Sequence, residues 1–571
     1  MFMKHKRILL LFLPLFIAVI SVVMLADLLR ASETDAAASH GDLVVIADTT
    51  ATMQPQLDAL SAAWPGSVIP DNSQDRLFHL LQYKDAIRFE GSASSVQQFQ
   101  NKLDELTAAG GGDCEDAMLQ ALAAAARGVP DSRALLLTDS APKGGRRNLA
   151  FIMNKLVERG VNIYPLVSGW CDSSELSQTA MFSLARMTGG VAYIHEAGET
   201  DTAARSTFDM MAMQDTVLVD NASLDGVEIY PLELDSTATT LGVDDKPCRP
   251  TWCLTCTLAV QNETSLVQST SEIKLMVKNP DGDLIEAGDP GVELLQTSGG
   301  TSYIIDVAQV YTPKSGEASA TWVIIVQGSG DHVLNAVTDS GLHLEYYGKH
   351  TLPANKEQLV RASLVTEAAS PAVVGSSVQF AMKHVMNGKV VAVDLFDDGQ
   401  HGDGQAGDGI YGGPVAVRRG LWYLAARGEL ADGSSFERVH EVPIRVKGFK
   451  IGRPKDQQQV AGNSSTLRFQ VTNDEANGPN QVSSKVYELS ANSLLGWSST
   501  DGVPDSIVLA PGETALIDVE VSVPQDAENG DIEETFLTVV ESNDIGSSET
   551  LTVKTTVVDE LMVYLPATVG K

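Results

Sequence analysis

The chain has 571 residues, too many for a single hydrophobic core, so several domains are expected. Acidic residues outnumber basic ones 74 to 40, a formal net charge of −34. That balance argues against nucleic-acid binding, which needs a basic footprint, and fits an acidic, soluble surface.

Lys4, Lys6 and Arg7 precede an apolar stretch from Ile8 to Ala26, closed by Asp27 and Arg30. A basic flank before an apolar run is an export signal. The run fits either a cleaved signal peptide or an uncleaved N-terminal anchor, assigned to residues 1–30. In both cases the basic flank stays in the cytoplasm and the rest of the chain is exported, to the cell surface or beyond. No second long apolar run follows, so membrane contact is expected only through this segment.

From Gly41 to about Asp215 apolar strands alternate with amphipathic helices. Strands are expected over 43–47, 77–83, 134–138, 161–167 and 191–194, and helices over 96–106, 115–126, 149–158 and 174–187. Phe99, Leu103 and Leu106, for example, share one helical face. Such alternation implies a mainly parallel sheet with helices on both faces, a Rossmann-like doubly wound α/β domain over 40–215.

The run Leu43-Val44-Val45-Ile46-Ala47 ends in Asp48-Thr49-Thr50-Ala51-Thr52. One carboxylate and two hydroxyls thus enter the turn at the carboxyl end of a buried strand, where ligands bind in open α/β sheets. Hard oxygen donors suit Mg²⁺, Mn²⁺ or Ca²⁺ rather than Zn²⁺. Gly110-Gly111-Gly112-Asp113 lies between two helical patterns, and Ala134-Leu135-Leu136-Leu137-Thr138-Asp139 is another apolar strand ending in a carboxylate.

Together these segments resemble the metal-ion-dependent adhesion site of von Willebrand factor type A domains, which carries Asp-x-Ser-x-Ser, then a distant Thr, then a distant Asp. Asp48, Thr50 and Thr52 match the first element with Thr in place of Ser, Asp139 matches the last, and Asp113 stands where the family has Thr. The Gly110–Glu115 segment and Val167-Ser168-Gly169-Trp170-Cys171 resemble the hemicentin-like branch. The resemblance implies a divalent cation held by Asp48, Thr50, Thr52, Asp113 and Asp139, some through water, with a partner's carboxylate completing the coordination. Asp113 adds negative charge beside that ion, which tightens metal binding and weakens the pull on an acidic partner. The competing reading is a type A fold whose metal site is degenerate.

Export permits disulfides, and there are five cysteines. Cys114 follows Asp113 and Cys171 follows the strand pattern ending at Val167, so both loops are expected at one edge of the sheet and a Cys114–Cys171 bridge is expected. Cys248, Cys253 and Cys256 form a C-x4-C-x2-C cluster without a nearby His for zinc; one local disulfide and one unpaired thiol are expected, with the pairing open.

After about Asp215 short strands recur between Gly/Pro turns, such as Asn279-Pro280-Asp281-Gly282, which argues for β-sandwiches. Three are expected, over 216–350, 351–449 and 450–558, followed by a tail at 559–571. Leu467–Asn473, Gly496-Trp497 and Leu509-Ala510-Pro511-Gly512-Glu513-Thr514 look like the immunoglobulin-like spacer modules of bacterial surface proteins. The tail segment Val563-Tyr564-Leu565-Pro566 resembles short C-terminal tags of bacterial secreted proteins. In the middle sandwich Asp397, Asp398, Asp403 and Asp408 lie in a Gly-rich loop that resembles one common in bacterial surface β-sandwiches. It reads either as a second cation loop, for Ca²⁺, or as a turn series in which Asp side chains bond their own backbone.

No catalytic constellation stands out. The ten histidines form no triad or H-E-x-x-H motif, and His195, at a strand end, is expected to be structural. The reading is a non-enzymatic, exported, metal-dependent binding or adhesion protein that engages a protein or cell-surface ligand. Its rivals are a structural envelope module with a purely stabilising metal and an accessory subunit of an extracellular enzyme.

Overall fold

The computed structural model describes residues 41–64, 76–110, 115–142, 145–168, 175–213, 215–235, 251–258, 273–311, 319–338, 341–366, 374–385, 388–430, 435–474, 484–499, 501–542 and 544–559. The N-terminal apolar segment, Asp113, Cys114, Cys171, Cys248 and the end of the tail lie outside these residues, and so do the pairing expected of Cys114 with Cys171 and the side chains of Cys253 and Cys256. Among the described residues no helix is long and apolar enough to cross a membrane.

The N-terminal domain is built on β1 (Leu43–Asp48), β2 (Phe78–Tyr83), β3 (Ile87–Ala93), β4 (Arg133–Thr138), β5 (Asn162–Ser168) and β6 (Tyr193–His195). They lie in the order β3-β2-β1-β4-β5-β6, parallel throughout except for the antiparallel edge strand β3. The helices are α1 (Gln54–Ala63), α2 (Val96–Asp104), α3 (Met118–Gly128), α4 (Gly145–Glu158), α5 (Glu175–Thr188) and α6 (Thr200–Ala212).

Strand alternation explains the two-faced architecture. Leu43, Val45 and Ala47 of β1 enter one core, with residues of α1, α2 and α6. Val44 and Ile46 enter the other, with residues of α3, α4 and α5. Side chains two apart share a face, so an uninterrupted apolar strand feeds both cores at once. Trp64 anchors the first core, its ring 5.3 Å from Phe78, 4.8 Å from Phe99 and 5.0 Å from Phe208.

The sequence reading does not anticipate α1, α6 or β3. In α6 polar residues occupy the interior: Thr200, Ser206, Thr207 and Asp209 are buried along with Phe208 and Met210. The helix is covered on both sides, by the sheet and by the next domain, so it shows no polar stripe. Strand β3 is mostly exposed, with Ile87 and Phe89 open to solvent, and so shows neither a buried run nor a clean alternation.

The rest of the chain is β structure. Residues 215–338 form a six-stranded antiparallel sheet in which Asp215–Asp235 pairs with Ser319–Thr338 from end to end. Leu342–Tyr347 pairs with Gln358–Thr366 and so belongs to the middle domain, whose two sheets enclose Trp422, Phe380 and Phe436. The last domain packs two sheets around Phe469, Tyr487 and Val519.

These β domains fold back on the α/β domain. Leu295, Ile304 and Val337 join its first core, while Val219, Val385, Leu421, Tyr423, Val439 and Val540 join its second. Helix α4 docks on the last domain, where Phe151 meets Phe536 edge to face at 5.2 Å and the Lys155 ammonium lies 5.1 Å from the Phe536 ring. Asn154 donates to Thr550 Oγ1 at 3.1 Å and accepts from Arg445 of the middle domain. Arg133, at the start of β4, pairs with Glu441 of the middle domain at 3.0 Å.

Candidate functional site

The site forms where β1 and β4 end. Asp48 is the last residue of β1 and is fully buried. Thr49 fixes the strand end: its amide and its hydroxyl both donate to the Tyr83 carbonyl of β2, at 2.9 and 3.2 Å. The chain then turns, and the Thr50 amide donates to Asp48 Oδ1 at 2.9 Å. A carboxylate that caps the backbone two residues on is the local device by which Asp shapes a tight turn.

That turn brings the donors together. Thr50 Oγ1 and Thr52 Oγ1 lie 3.4 Å apart, and Thr52 Oγ1 donates to Asp139 Oδ2 at 2.8 Å. Asp139, just beyond β4, is only 9 % exposed. Four of the five metal-site residues read from the sequence, Asp48, Thr50, Thr52 and Asp139, therefore meet at one sheet edge. The described residues on either side of Asp113 are held to the same place. Ala109 donates to the Thr49 carbonyl at 3.1 Å, and Ala51 donates to the Gly110 carbonyl at 2.8 Å. Gly110 adopts φ +72°, a conformation open to glycine at little cost. On the far side Glu115–Asp116 pairs with Ala141–Pro142.

Three supporting side chains escape the sequence reading. With its amide oriented to satisfy both ends, Gln56 donates to the Thr52 and Met53 carbonyls and accepts from Ser168 Oγ at the end of β5. Gln54 Oε1 accepts from Ala108 N at 2.7 Å, and the Lys84 ammonium donates to the Ala109 carbonyl at 2.7 Å. Each braces a loop backbone. Gln and Lys carry no spacing signal that reveals such a role.

Chemically, the edge offers two buried carboxylates and two hydroxyls. This donor set is hard and oxygen-only, and it fits Mg²⁺, Mn²⁺ or Ca²⁺. Among the described residues no group of three or more His, Cys, Asp or Glu side chains is arranged to hold a metal, so any ion here relies on the hydroxyls as well. His195 is buried, with Nδ1 2.8 Å from the Glu196 carbonyl, and burial lowers its pKa.

The acidic loop of the middle domain is a separate feature. Asp397 accepts from the amides of Gly407 at 2.7 Å, Asp408 at 3.2 Å and Gly409 at 2.9 Å. Asp403 accepts from Gly399 at 2.7 Å and His401 at 3.1 Å, and Asp408 from Gln405 at 2.9 Å and Ile410 at 3.0 Å. Asp398 accepts from the His401 ring, which, followed by the Gln400 amide, holds its carboxyl below the usual range. All four carboxylates thus bond amides or a ring of their own loop.

A family model described as "von Willebrand factor A domain" matches residues 42–196, and one described as "Conditioned medium factor 2nd Ig-like domain" matches residues 351–446. No curated protein matches the chain. Among solved structures, proximal thread matrix protein 1 from the mussel byssus is 16 % identical with a TM-score of 0.25; the match covers 32 % of this chain and 49 % of that one, about half its length. The von Willebrand factor domain of the type V pili tip protein Mfa5 from Porphyromonas gingivalis is 11 % identical with a TM-score of 0.24, covering 30 % of this chain and 93 % of that one. The SpRpn10 VWA domain is 11 % identical with a TM-score of 0.24, covering 28 % and 93 %. Residues 42–196 are thus a von Willebrand factor A domain, carried in a multidomain chain with an immunoglobulin-like domain at 351–446.

Proposed function

We propose that this chain is an exported adhesion protein whose type A domain holds a divalent cation at the β1/β4 edge and binds a protein or surface ligand through it. Type A domains are binding modules, and the pilus-tip protein named above carries one. The observation that carries the metal reading is the meeting of Thr50, Thr52 and Asp139 oxygens within hydrogen-bonding range beside buried Asp48. Asp48, Thr50, Thr52 and Asp139 would hold the ion, with Asp113 as the fifth donor expected from the sequence. When bound, the ion supplies an electrophilic centre for a ligand carboxylate. Export rests on the basic flank and apolar run at residues 4–26.

The test uses the whole exported chain, because the type A cores are completed by residues of the β domains. Calorimetry with Mg²⁺, Mn²⁺ or Ca²⁺ against a chelator should show a rise in Tm, by linkage between binding and folding. Asp48→Ala should remove that rise and abolish adhesion to surface ligands. Identical melting in all conditions would leave the domain a scaffold. A rise in Tm with adhesion unaffected by chelator would favour the structural envelope reading, to which the packing of α4 against the last β domain lends support.

A further inference from the structure

A cavity of about 380 Å³ lies between the type A domain and the middle β domain. Gly41, Arg133 and Asn162, at the amino ends of β1, β4 and β5, line it, so it sits at the opposite end of the sheet from the metal motif. Its volume falls in the range of small-molecule pockets, roughly 300–1,000 Å³.

The cavity holds buried donors that have no acceptor. Arg76 is 3 % exposed, and its Nε and Nη1 have no hydrogen-bond partner. Burial lowers its pKa to about 10, so the guanidinium stays cationic at neutral pH. Asn162 is also 3 % exposed, with Nδ2 unpartnered. The other deep charges are matched. Arg133 pairs with Glu441, and Asp215 pairs with His343. Glu345 accepts from the Tyr347 hydroxyl, and Asp131 is exposed at the rim. Among the described residues that line the cavity, Arg76 is the buried cation with no carboxylate in contact; the Asp42 carboxylate, whose charge acts on it from farther off, bonds the Leu77 amide and the His79 ring.

A buried donor without an acceptor costs about 1–3 kcal/mol, and a charged one more. Water would satisfy single N–H groups but would not neutralise a guanidinium. An oxyanion supplies an acceptor and the counter-charge together. We propose that this cavity binds a small oxyanion, a phosphate- or carboxylate-bearing molecule, seated on Arg76 with the Asn162 amide as second donor. Its walls come from both domains, so the bound anion would tie the type A domain to the middle β domain. The proposal is independent of the metal site.

Titration calorimetry of the whole chain with inorganic phosphate, and separately with succinate, tests it in a buffer free of other oxyanions. One saturable site per chain and a raised Tm are expected with at least one of the two, and which one binds assigns the anion's class. Arg76→Gln should weaken binding at least tenfold, while Arg88→Gln, at an exposed arginine of β3, should not. Should Arg76→Gln fail to fold, Asn162→Asp decides: it places a carboxylate in the cavity and should abolish anion binding without lowering the apo Tm. No saturable binding to the wild-type chain, or equal binding to the wild type and Asn162→Asp, would overturn the assignment.

Discussion

The Thr52 hydroxyl donates to the Asp139 carboxylate at 2.8 Å across 87 residues of sequence, joining the loop after β1 to the loop after β4. Thr52 itself is exposed, so the bond fixes geometry more than it stabilises the fold. Thr52→Val should lower apo stability by about 1 kcal/mol, the usual net worth of one hydrogen bond. Under the proposed metal site, its effect on a metal-induced rise in Tm should be larger, because an oxygen donor is lost as well. Denaturant melts with and without Mg²⁺ measure both; an unchanged metal-dependent rise would remove Thr52 from the site.

Phe536 carries the dock between helix α4 and the last β domain, and it is 7 % exposed. Phe536→Ala should cost roughly 3–5 kcal/mol, the loss typical of a buried aromatic. Part of that loss is contact across the dock. Calorimetry should therefore show the last domain melting apart from the rest, and a single cooperative transition would argue against this role.

Acid should weaken the junction between the type A and middle domains. His350 is held at about 3 by burial, then by His440 and Arg445, and His440 is lowered chiefly by burial. A histidine near 6.5 when unfolded and lower when folded contributes stability that is present above 6.5 and is lost as pH falls toward the folded value. The slope is up to ~1.4 kcal/mol per pH unit for each. His343 acts in the opposite sense. Burial alone would lower its pKa, but the charge and hydrogen bond of Asp215 raise it, so its contribution is full below 6.5 and fades as pH rises through the folded value. His350→Phe isolates the first effect. Its Tm should fall less than that of the wild type between pH 7 and pH 4.5, and parallel curves would refute the assignment.

In the acidic loop Asp403 is 1 % exposed and accepts from two amides. Asp403→Ala strands both donors and should lower the stability of the chain in chelator. Urea melts measure it. A loss confined to Ca²⁺-containing buffer would instead assign the loop to a cation.

Much of the type A domain is readable from its sequence for a physical reason. Strands such as β1 are buried on both faces, so every residue in the run is apolar up to Asp48. Helices with one wet face, such as α2 with Phe99 and Leu103, announce themselves by spacing. The same logic hides α6, which is wet on neither side, and β3, which is mostly wet. The convergence of Asp48, Thr50, Thr52 and Asp139 is legible because parallel strands end at one edge. The packing between domains is not. Arg445 and Asn154 are 291 residues apart and look like ordinary surface residues until the fold buries them together.

Asp215 has a consequence for how tension travels through the molecule. It is the first residue of the 215–338 domain, it pairs across the ladder with Thr338, and its carboxylate accepts from the Gly341 amide at 2.8 Å and binds His343. The two points where the chain enters and leaves that domain are therefore bolted side by side. A pull on an adhering type A domain passes through this bolt and the Arg133–Glu441 pair directly into the middle domain. The 215–338 domain is entered and left at this one point, and its long ladder of Asp215–Asp235 with Ser319–Thr338 would begin to unzip from the Asp215 end only after the bolt had failed.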